Sequence, residues 1–523
     1  MIKSNYIDGL GEDAGSATFT VTVPEDGEYA LNLDFYKKPS GEDVPMFFSL
    51  NGNDAHPYRM MLPSTGYNGG APGSRAAAIV KLNAGENTLK FFQPIRSSRR
   101  DYDSARYQYG FMRDNLMKAT EKYAEENGKE NRPIALEICE WGGRQPWTWG
   151  NETGNIWRTT GDISASWDSM INIYETNVKL YQYAGKYDPA DGDNYGFNHP
   201  DMLEVGNGSL TKDENIAHFS LWCEMASPLI LGNDLRQLGN RPDILEIITN
   251  TEAIAVNQDE LCIQGIRYQD DGDLEYLVKP LTGGKVSLVM LNRSGKPAVM
   301  TTEISEIGNK VKAMDEYYYE NHYNLGESYV YHLKDVWEKD EEGNHVEFDS
   351  AIAAAVVPSH GVKMYIIEPA TNVEKGAYVI GSLSKTSLKA GEQTILTAKF
   401  VNGGSTVVEN VGLSLNLPEG FTARPLSTTV GNDLATGEGY TVQYVITAGD
   451  EAVENVPITI NAFLLYEGDK EPTSLSFDTV VTVKGKVTGT PVEYGRLTTK
   501  NAASAVAAWG TIRDDRSING NPL

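Results

Sequence analysis

The chain has 523 residues, a length that exceeds one domain and favours three to five. Its formal net charge of −27 argues against a nucleic-acid partner. No run of 18 apolar residues is present, so we expect no membrane span. Cys139, Cys223 and Cys262 are too widely spaced for a disulfide framework or a C-x-x-C metal site, and we expect neither a metal nor another cofactor.

The segment that opens the chain is predicted to form a β-sandwich. Runs such as "SATFTVTV", "EYALNLDFY" and "AAAIVKLNAGENTLKFF" are rich in strand-forming residues and are separated by Gly, Pro, Asn and Asp. The next segment, "DSARYQYGFMRDNLMKATEKYAEENG", has helical periodicity instead. It places Met112, Leu116, Ala119 and Tyr123 on one face and ends at Gly128.

Strands and helices then alternate up to residue 259. Buried strands are predicted at 134–139, 156–161 and 228–234, with a further one near 196–203. Helices are predicted at 167–181, after the capping box 211–214 and from 242 onward. Such alternation predicts βαβ units and a parallel sheet. Because a complete (β/α)₈ barrel needs eight strands, residues 103–259 supply about half of one.

The rest of the chain is again predicted to be β-rich. Turns such as "TGGK" and "NRSGKP" divide strands over residues 260–370, and "GEQTILTAKFVNGGSTVVENVGLSLNLP" alternates well within a further β unit at 375–485. Residues 486–523 are too few for a domain of their own. The predicted fold class is therefore multidomain, with half of a (β/α)₈ barrel flanked by all-β sandwich domains.

Carboxylates lie where the predicted barrel strands end, which is where barrel enzymes place their active sites. Asp162, Glu140, Asp201 and Asp234 all qualify. A structural alternative stays open, because an Asp between a strand and a helix is often only an N-cap, as for Asp162 or Asp234. In the same way, Arg158 has the alternative of simply pairing with a neighbouring acid.

Five tryptophans lie close to these acids within 27 residues. They share a setting of Gly, Glu and Asp, and they are Trp141, Trp147, Trp149, Trp157 and Trp167. Either they form an ordinary core, or they provide stacking faces for a pyranose whose hydroxyls bind the carboxylates. The second interpretation predicts glycoside chemistry, which needs two carboxyl groups flanking the scissile bond.

Six motifs in order carry a resemblance to a known family. "ICEWG", "GNIWRTTGDI", "WDSM", "HPDMLEVGNG", "HFSLWCEMASPLILGNDLR" and "AIAVNQD" resemble glycoside hydrolase family 27, the α-galactosidase (melibiase) family. The resemblance is dense over residues 104–258 and extends to 370 as the C-terminal β domain of that family. It implies a retaining mechanism on a (β/α)₈ barrel, of which residues 103–259 are the C-terminal half.

The resemblance also assigns roles to particular residues. Asp162 stands at the general acid/base of the family, and Arg158 and Asp201 stand where the family contacts sugar hydroxyls. Glu140 and Trp141 lie on the loop beside the 2-position of the sugar. One departure is His199, where the family usually has Asp.

A second departure is the nucleophile, which the family carries as Asp in a Lys-x-Asp motif upstream of the "MRDNL" helix. The one similar motif here, Lys186-Tyr187-Asp188, lies after the acid/base and is not expected to act. We therefore expect the nucleophile in a missing N-terminal segment, and we expect this chain alone to be inactive.

The other domains resemble modules that accompany this family in bacteria. Residues 1–102 resemble an incomplete carbohydrate-binding module of family 35 type inserted into the barrel, on the residues "YIDGLG" and "LNAGENTLKFF". Residues 375–485 resemble an Ig-like domain, and 486–523 resemble the start of a further carbohydrate-binding domain. Both ends of the chain are expected to be truncated, and the full-length parent is expected to be extracellular or at the cell surface.

The expected partners are galactose-containing oligosaccharides or polysaccharides. Two alternatives stay open. One is a non-catalytic carbohydrate-binding protein. The other is the same fold acting on α-N-acetylgalactosaminides or β-arabinopyranosides.

Overall fold

The computed structural model describes residues 2–3, 6–7, 15–35, 44–53, 57–62, 74–92, 102–188, 195–431 and 433–484. Residues 486–523, predicted to begin a further domain, lie outside this part of the chain. The chain divides into two compact units, residues 1–376 with 403–405 and residues 377–402 with 406–523. The finer domain boundaries proposed from the sequence stay predictions.

The described residues among the first hundred lie mainly in strands, as the composition predicts. The strands are β1 (Ile2–Lys3), β2 (Tyr6–Ile7), β3 (Ser16–Val23), β4 (Gly27–Phe35), β5 (Val44–Leu50), β6 (Tyr58–Leu62), β7 (Ser74–Leu82) and β8 (Gly85–Phe92). They pair as a four-stranded sheet in the order β3-β8-β5-β6, with β4-β7 and β1-β2 as two-stranded sheets. The buried side chains of Phe48, Val80 and Leu89 form a core of their own.

The region that follows alternates helices with short strands. Its elements are α1 (Tyr102–Asn127), β9 (Glu137–Ile138), β10 (Ile156–Arg158), α2 (Trp167–Asn177), β11 (Phe197–His199), α3 (Lys212–Glu224), α4 (Leu235–Leu238), α5 (Pro242–Ile248) and α6 (Thr251–Asn257). Short 3₁₀ turns lie at Pro146–Thr148, Gly150–Glu152 and Val178–Tyr183. The three strands form a parallel sheet in the order β11-β10-β9, so the predicted parallel sheet is confirmed.

The two faces of this parallel sheet differ in polarity. Ile138 pairs in register with Trp157, and both pack with Ala105 of α1 in a buried apolar cluster. Side chains alternate between the faces of a strand, so the next residues along each strand point the other way. Glu137, Arg158 and His199 therefore share the opposite face with Ile156 and Phe197. This face, called here the polar face, carries the ionisable residues of the sheet.

All four predicted barrel strands are shorter in the structure: 156–161 is a strand only at Ile156–Arg158, and the one near 196–203 only at Phe197–His199. The segment 134–139 is a strand only at Glu137–Ile138, and Ile134 is 56% exposed. Its apolar run is not covered on both faces, because residues 134, 135 and 139 are exposed, and within the described residues β9 pairs only with β10. The segment 228–234 contributes one parallel bridge, Leu203 to Leu231, instead of a strand. Pro228 lacks the amide proton that a ladder requires, which shortens the pairing.

The third region of the first unit is antiparallel. Its elements are β12 (Ile266–Asp270), β13 (Leu274–Leu281), β14 (Lys285–Asn292), β15 (Ala298–Glu303), α7 (Ile307–Met314), α8 (Glu316–Asn321), β16 (Tyr331–Lys339), β17 (His345–Ser350), β18 (Ile352–Val357) and β19 (Gly361–Pro369), with a 3₁₀ turn at Ile304–Glu306. Six strands form a sheet in the order β12-β13-β14-β19-β16-β17, and β15 pairs with β18. Met170 and Trp222 of the helical region share one buried core with Leu277 and Met364 of this sheet.

The second unit is a two-sheet β structure. Its strands are β20 (Ala377–Leu383), β21 (Ser387–Lys389), β22 (Gln393–Asn402), β23 (Val408–Asn416), β24 (Thr422–Pro425), β25 (Gly439–Thr447), β26 (Val453–Tyr466) and β27 (Thr473–Lys484). The sheets have the orders β20-β22-β25-β24 and β21-β27-β26-β23. Buried residues such as Leu396, Phe400 and Ile460 alternate with half-buried or exposed ones along much of these strands, as in a sandwich.

None of the helices in the described segments is both long enough and apolar enough to cross a bilayer.

Candidate active site

Asp162 lies in the turn that joins β10 to α2. Its side chain is 75% exposed, and it is not the cap of the following helix. That position belongs to Ser166, whose hydroxyl accepts a hydrogen bond from the amide of Ser169. The structural alternative of Asp162 as an N-cap is therefore wrong, and its carboxylate remains available to other groups.

Arg158, the last residue of β10, joins two carboxylates. Its Nη2 lies 3.2 Å from Oδ1 of Asp162 and 2.8 Å from Oδ2 of Asp201. The side chains of Arg158 and Asp201 are only 9% and 7% exposed, in contrast to Asp162. The three predicted residues therefore meet at the carboxyl ends of β10 and β11, with one exposed carboxylate and one buried one.

Asp201 is held firmly by its surroundings. It follows β11 after Pro200 and adopts a left-handed conformation, with φ of 77°, which Asp tolerates better than most residues. Its Oδ2 also accepts a hydrogen bond from the amide of Ile163 at 2.7 Å, next to Asp162 in the chain. The indole of Trp222 on α3 donates to the carbonyl oxygen of Asp201 at 2.9 Å. These contacts fix the Asp162 turn relative to the end of β11.

The loop after β9 carries Glu140 and Trp141. Trp141, Arg144 and Gln145 have φ values of 53°, 59° and 45°, and each such residue typically costs about 1–2 kcal/mol. The backbone amide of Gly142 donates to the carbonyl of Arg158 at 3.1 Å, which attaches the loop to the strand of the site. A Cβ at Gly142 would lie 2.2 Å from the carbonyl oxygen of Thr159, so no larger residue fits there.

Of the five tryptophans, only Trp141 is strongly exposed, at 60%. Trp149 and Trp157 are buried in the cluster beneath the parallel sheet, and Trp147 packs against it. Trp167 stacks on His360, with ring centroids 4.5 Å apart and an interplanar angle of 7°. The interpretation as sugar-stacking faces is therefore wrong for buried Trp149 and Trp157, while Trp147 and Trp167 are half-buried against other side chains.

A pair of residues that the sequence interpretation did not connect lies on the polar face of the sheet. His199 Nδ1 lies 2.5 Å from Oε1 of Glu137, and its other ring nitrogen is buried without a hydrogen-bond partner among the described residues. The hydrogen bond from His199 lowers the pKa of Glu137, and the charge of Arg158 lowers it further. The available signal was Glu137 itself, a charged residue inside an apolar strand.

The remaining acids behave differently. Asp234 is the N-cap of α4 and accepts a hydrogen bond from the amide of Arg236, as the structural alternative predicted. In the Lys-x-Asp look-alike, the Lys186 ammonium lies over the Tyr195 ring at 5.2 Å and reaches the carbonyl of Glu260. Within the described residues, no three His, Cys, Asp or Glu side chains converge as metal ligands would.

Comparison with known families gives this geometry a context. The family described as Alpha galactosidase A matches residues 112–259, and the Alpha galactosidase C-terminal beta sandwich domain matches residues 271–367. Residues 112–259 and 271–367 thus match two domains of the α-galactosidase (melibiase) family, the family that the sequence motifs resemble. The NEW3 domain of α-galactosidase also matches residues 388–463. The family and the fold class predicted from the sequence are thus confirmed.

Individual members of this glycosidase family match over part of their length. An α-galactosidase of Cyamopsis tetragonoloba is 38% identical over 238 residues, which cover 46% of this chain and 51% of that protein. Alpha-galactosidase A of Cellvibrio japonicus is 42% identical over 197 residues, covering 36% and 43%. The solved structure of α-galactosidase I from Mortierella vinacea is 26% identical, covers 51% of this chain and 64% of that one, and has a TM-score of 0.40. The chain therefore spans about half the length of the curated relatives it matches.

Proposed function

We propose that this chain carries the acid/base half of a glycoside hydrolase that releases terminal α-D-galactose from galactosides by a retaining double displacement. Asp162 protonates the leaving oxygen and then deprotonates the water that resolves the galactosyl-enzyme. Arg158 and Asp201 bind hydroxyls of the sugar, and Glu140 and Trp141 flank its 2-position.

The ion-paired group Asp162–Arg158–Asp201 is the observation that carries this proposal. A carboxyl group that exchanges protons with substrate and water must reach solvent, and Asp162 does so with three quarters of its side chain. The group that orients the site must be rigid, and the buried Arg158–Asp201 pair meets that requirement. The family membership of residues 112–259 supports galactosides as the substrate class.

A retaining mechanism needs a second carboxyl group about 5–5.5 Å from the first. We place this nucleophile in a segment outside the 523 residues, because the curated relatives are about twice as long as the part they share with this chain. Neither buried Asp201, bound to Arg158 and two backbone amides, nor Asp234, capping α4, is free to attack an anomeric carbon.

The test is a chimera in which the part of the Cyamopsis tetragonoloba enzyme outside the match precedes residues 102–376. We expect it to hydrolyse 4-nitrophenyl α-D-galactoside, while residues 1–523 alone do not. Asp162→Asn should abolish the activity, and Asp168→Asn, an exposed residue in the first turn of α2, should retain it.

Turnover by the isolated chain that disappears in Asp162→Asn would contradict the placement of the nucleophile. A chimera that binds galactose but hydrolyses no α-galactoside would contradict the proposed activity. A preference for an α-N-acetylgalactosaminide or a β-arabinopyranoside in the same assay would correct the substrate class.

A further inference from the structure

The loop Glu140–Gln145, called here the Trp141 loop, is held together by an ion pair within it. The guanidinium of Arg144 contacts the carboxylate of Glu140, and these side chains are only 23% and 14% exposed. Burial makes such a charge pair both stronger and more costly to break than a surface pair. The pair closes a loop of five residues, two of which lie between Trp141 and Arg144.

The backbone of the loop does not favour this conformation by itself. Three of its non-glycine residues are left-handed, and such conformations persist only where surrounding contacts over-determine them. Backbone amides provide part of these contacts: Gly142 donates to the carbonyl of Arg158 at 3.1 Å, and Gly143 donates to that of Glu140 at 2.8 Å. The indole of Trp149 donates to the carbonyl of Arg144 at 2.9 Å. The Arg144–Glu140 ion pair adds a side-chain constraint that joins two residues of the loop itself.

The neighbourhood of Glu140 supports the same conclusion. Burial raises the pKa of Tyr109 on α1 to about 12, and the charge of Glu140 raises it too, so this hydroxyl stays protonated beside the carboxylate. Arg144 is thus the cation that balances Glu140, while its Nε is buried without a hydrogen-bond partner among the described residues. Loss of Arg144 would leave a largely buried carboxylate without a counter-charge.

We propose that Arg144 is a positioning residue: through its ion pair with Glu140 it fixes the exposed Trp141 ring, in a loop that the Gly142 amide attaches to Arg158, as a preformed stacking face for a pyranose. This inference rests on the proposed function for the identity of the ligand. The orientation of Trp141 by Arg144 does not depend on it.

The experiment uses the full chain labelled with 5-fluorotryptophan and ¹⁹F NMR. The chain has eight tryptophans, and the Trp141 resonance is assigned by its loss in Trp141→Phe. Arg144→Gln should move or broaden the Trp141 resonance, and Arg144→Lys should restore it in part because the charge is retained. Arg106→Gln, which removes a half-exposed pair with Glu152, is the matched control and should leave Trp141 unchanged.

A second readout is the dissociation constant of D-galactose, followed at the Trp141 resonance. We expect it to rise at least tenfold in Arg144→Gln, to recover partly in Arg144→Lys and to stay unchanged in Arg106→Gln. In Glu140→Gln combined with Arg144→Gln, the shift of Trp141 should be smaller than the sum of the single shifts, because both substitutions remove the same pair.

The outcomes separate the two proposals. The positioning role is overturned if Arg144→Gln leaves the ¹⁹F chemical shift of Trp141 unchanged. It is also overturned if the wild-type Trp141 already has the chemical shift of an unfolded chain. An Arg144-dependent resonance establishes that role. If galactose does not shift the Trp141 resonance but the chimera hydrolyses galactosides, Trp141 is not a stacking face. If galactose does not shift the resonance and the chimera hydrolyses no galactoside, the proposed function is wrong.

Discussion

The parallel sheet of the site and the antiparallel sheet that follows it are held together by different interactions. The strands β9, β10 and β11 have only two or three residues, whereas β13, β14, β16 and β19 have eight or nine. The antiparallel sheet is therefore specified by its backbone ladder and its buried apolar residues. The site is specified instead by side chains and turns, including the Arg158 ion pairs and the left-handed residues of the Trp141 loop.

The antiparallel sheet also supports the helical region. The hydroxyl of Tyr174 on α2 donates to Glu275 at 2.6 Å, and the indole of Trp337 donates to the hydroxyl of Ser220 on α3 at 2.9 Å. Asn250, the N-cap of α6, reaches the carbonyl of Val336 at 2.9 Å. The comparison shows that a short parallel ladder can be sufficient where its helices are anchored on a second sheet.

The largest effect on stability should come from removing a buried anion where the antiparallel sheet contacts the helices, a region called here the junction. Glu275 is fully buried and contacts Tyr174, Arg267 and Arg293. Breaking such a network from one side typically costs about 3–5 kcal/mol, because the partner charges stay behind. Glu275→Ala should lower the free energy of unfolding by this amount in urea, whereas exposed Glu341→Ala should change it by less than about 0.5 kcal/mol. A loss below 1 kcal/mol for Glu275→Ala would show that the sheet does not anchor the helices.

The next effect concerns the turns of the site. Gly142→Ala would place a Cβ against the carbonyl oxygen of Thr159 at 2.2 Å in a left-handed residue, so the Trp141 loop must leave its place. We expect the free energy of unfolding to fall by about 1–3 kcal/mol. We also expect the chimera to hydrolyse galactosides more slowly. Gly161→Ala is the control, since its Cβ would meet no atom within 4 Å. Equal effects of both substitutions would show that the loop is not held against β10.

The pH dependence of stability should come from buried Glu224 in the junction and not from the residues of the site. Burial raises the pKa of Glu224 to about 8, while burial lowers the pKa of neighbouring Lys279. A carboxyl group whose pKa is higher in the folded state stabilises the fold at low pH, and this contribution is lost as pH rises toward 8. The lowered pKa of Lys279 acts in the opposite direction, so the test is the difference between the wild type and Glu224→Gln. Between pH 5 and 8 the wild type should lose more stability than the variant, by about 1.4 kcal/mol for each unit by which the pKa of Glu224 is raised within this range. Equal pH dependence of the two proteins would contradict the assignment.

The smallest expected effect on stability concerns Ser166, the N-cap of α2, and its comparison with Asp162 distinguishes capping from catalysis. Ser166→Ala removes the N-cap of α2 and should cost about 1 kcal/mol of stability without changing the activity of the chimera. Asp162→Asn should instead abolish the activity with little change in stability, because the ion pair of exposed Asp162 with Arg158 contributes little to the free energy of unfolding. Calorimetry and an activity assay on both variants provide the check. A stability loss on Asp162→Asn larger than that on Ser166→Ala would return Asp162 to a structural role.

Sequence patterns predicted the site better than the strands around it. The order of motifs placed Asp162, Arg158 and Asp201 at strand ends, and the capping box at Thr211 was found where expected. The strand at 134–139 was overestimated, because apolar runs do not reveal how many neighbours a strand has. The Glu137–His199 pair escaped because it joins residues 62 positions apart on strands whose register the sequence does not contain.

The central claim, that Asp162 is the general acid, is tested most directly by the leaving-group dependence of Asp162→Asn in the chimera. The measurement is the rate of the first step, release of the leaving group, for α-galactosides of good and poor leaving groups. The account predicts a loss of about 10²–10⁴-fold for poor leaving groups and a much smaller loss for activated aryl galactosides, which need little protonation. An equal loss for both classes of substrate would contradict the acid role of Asp162.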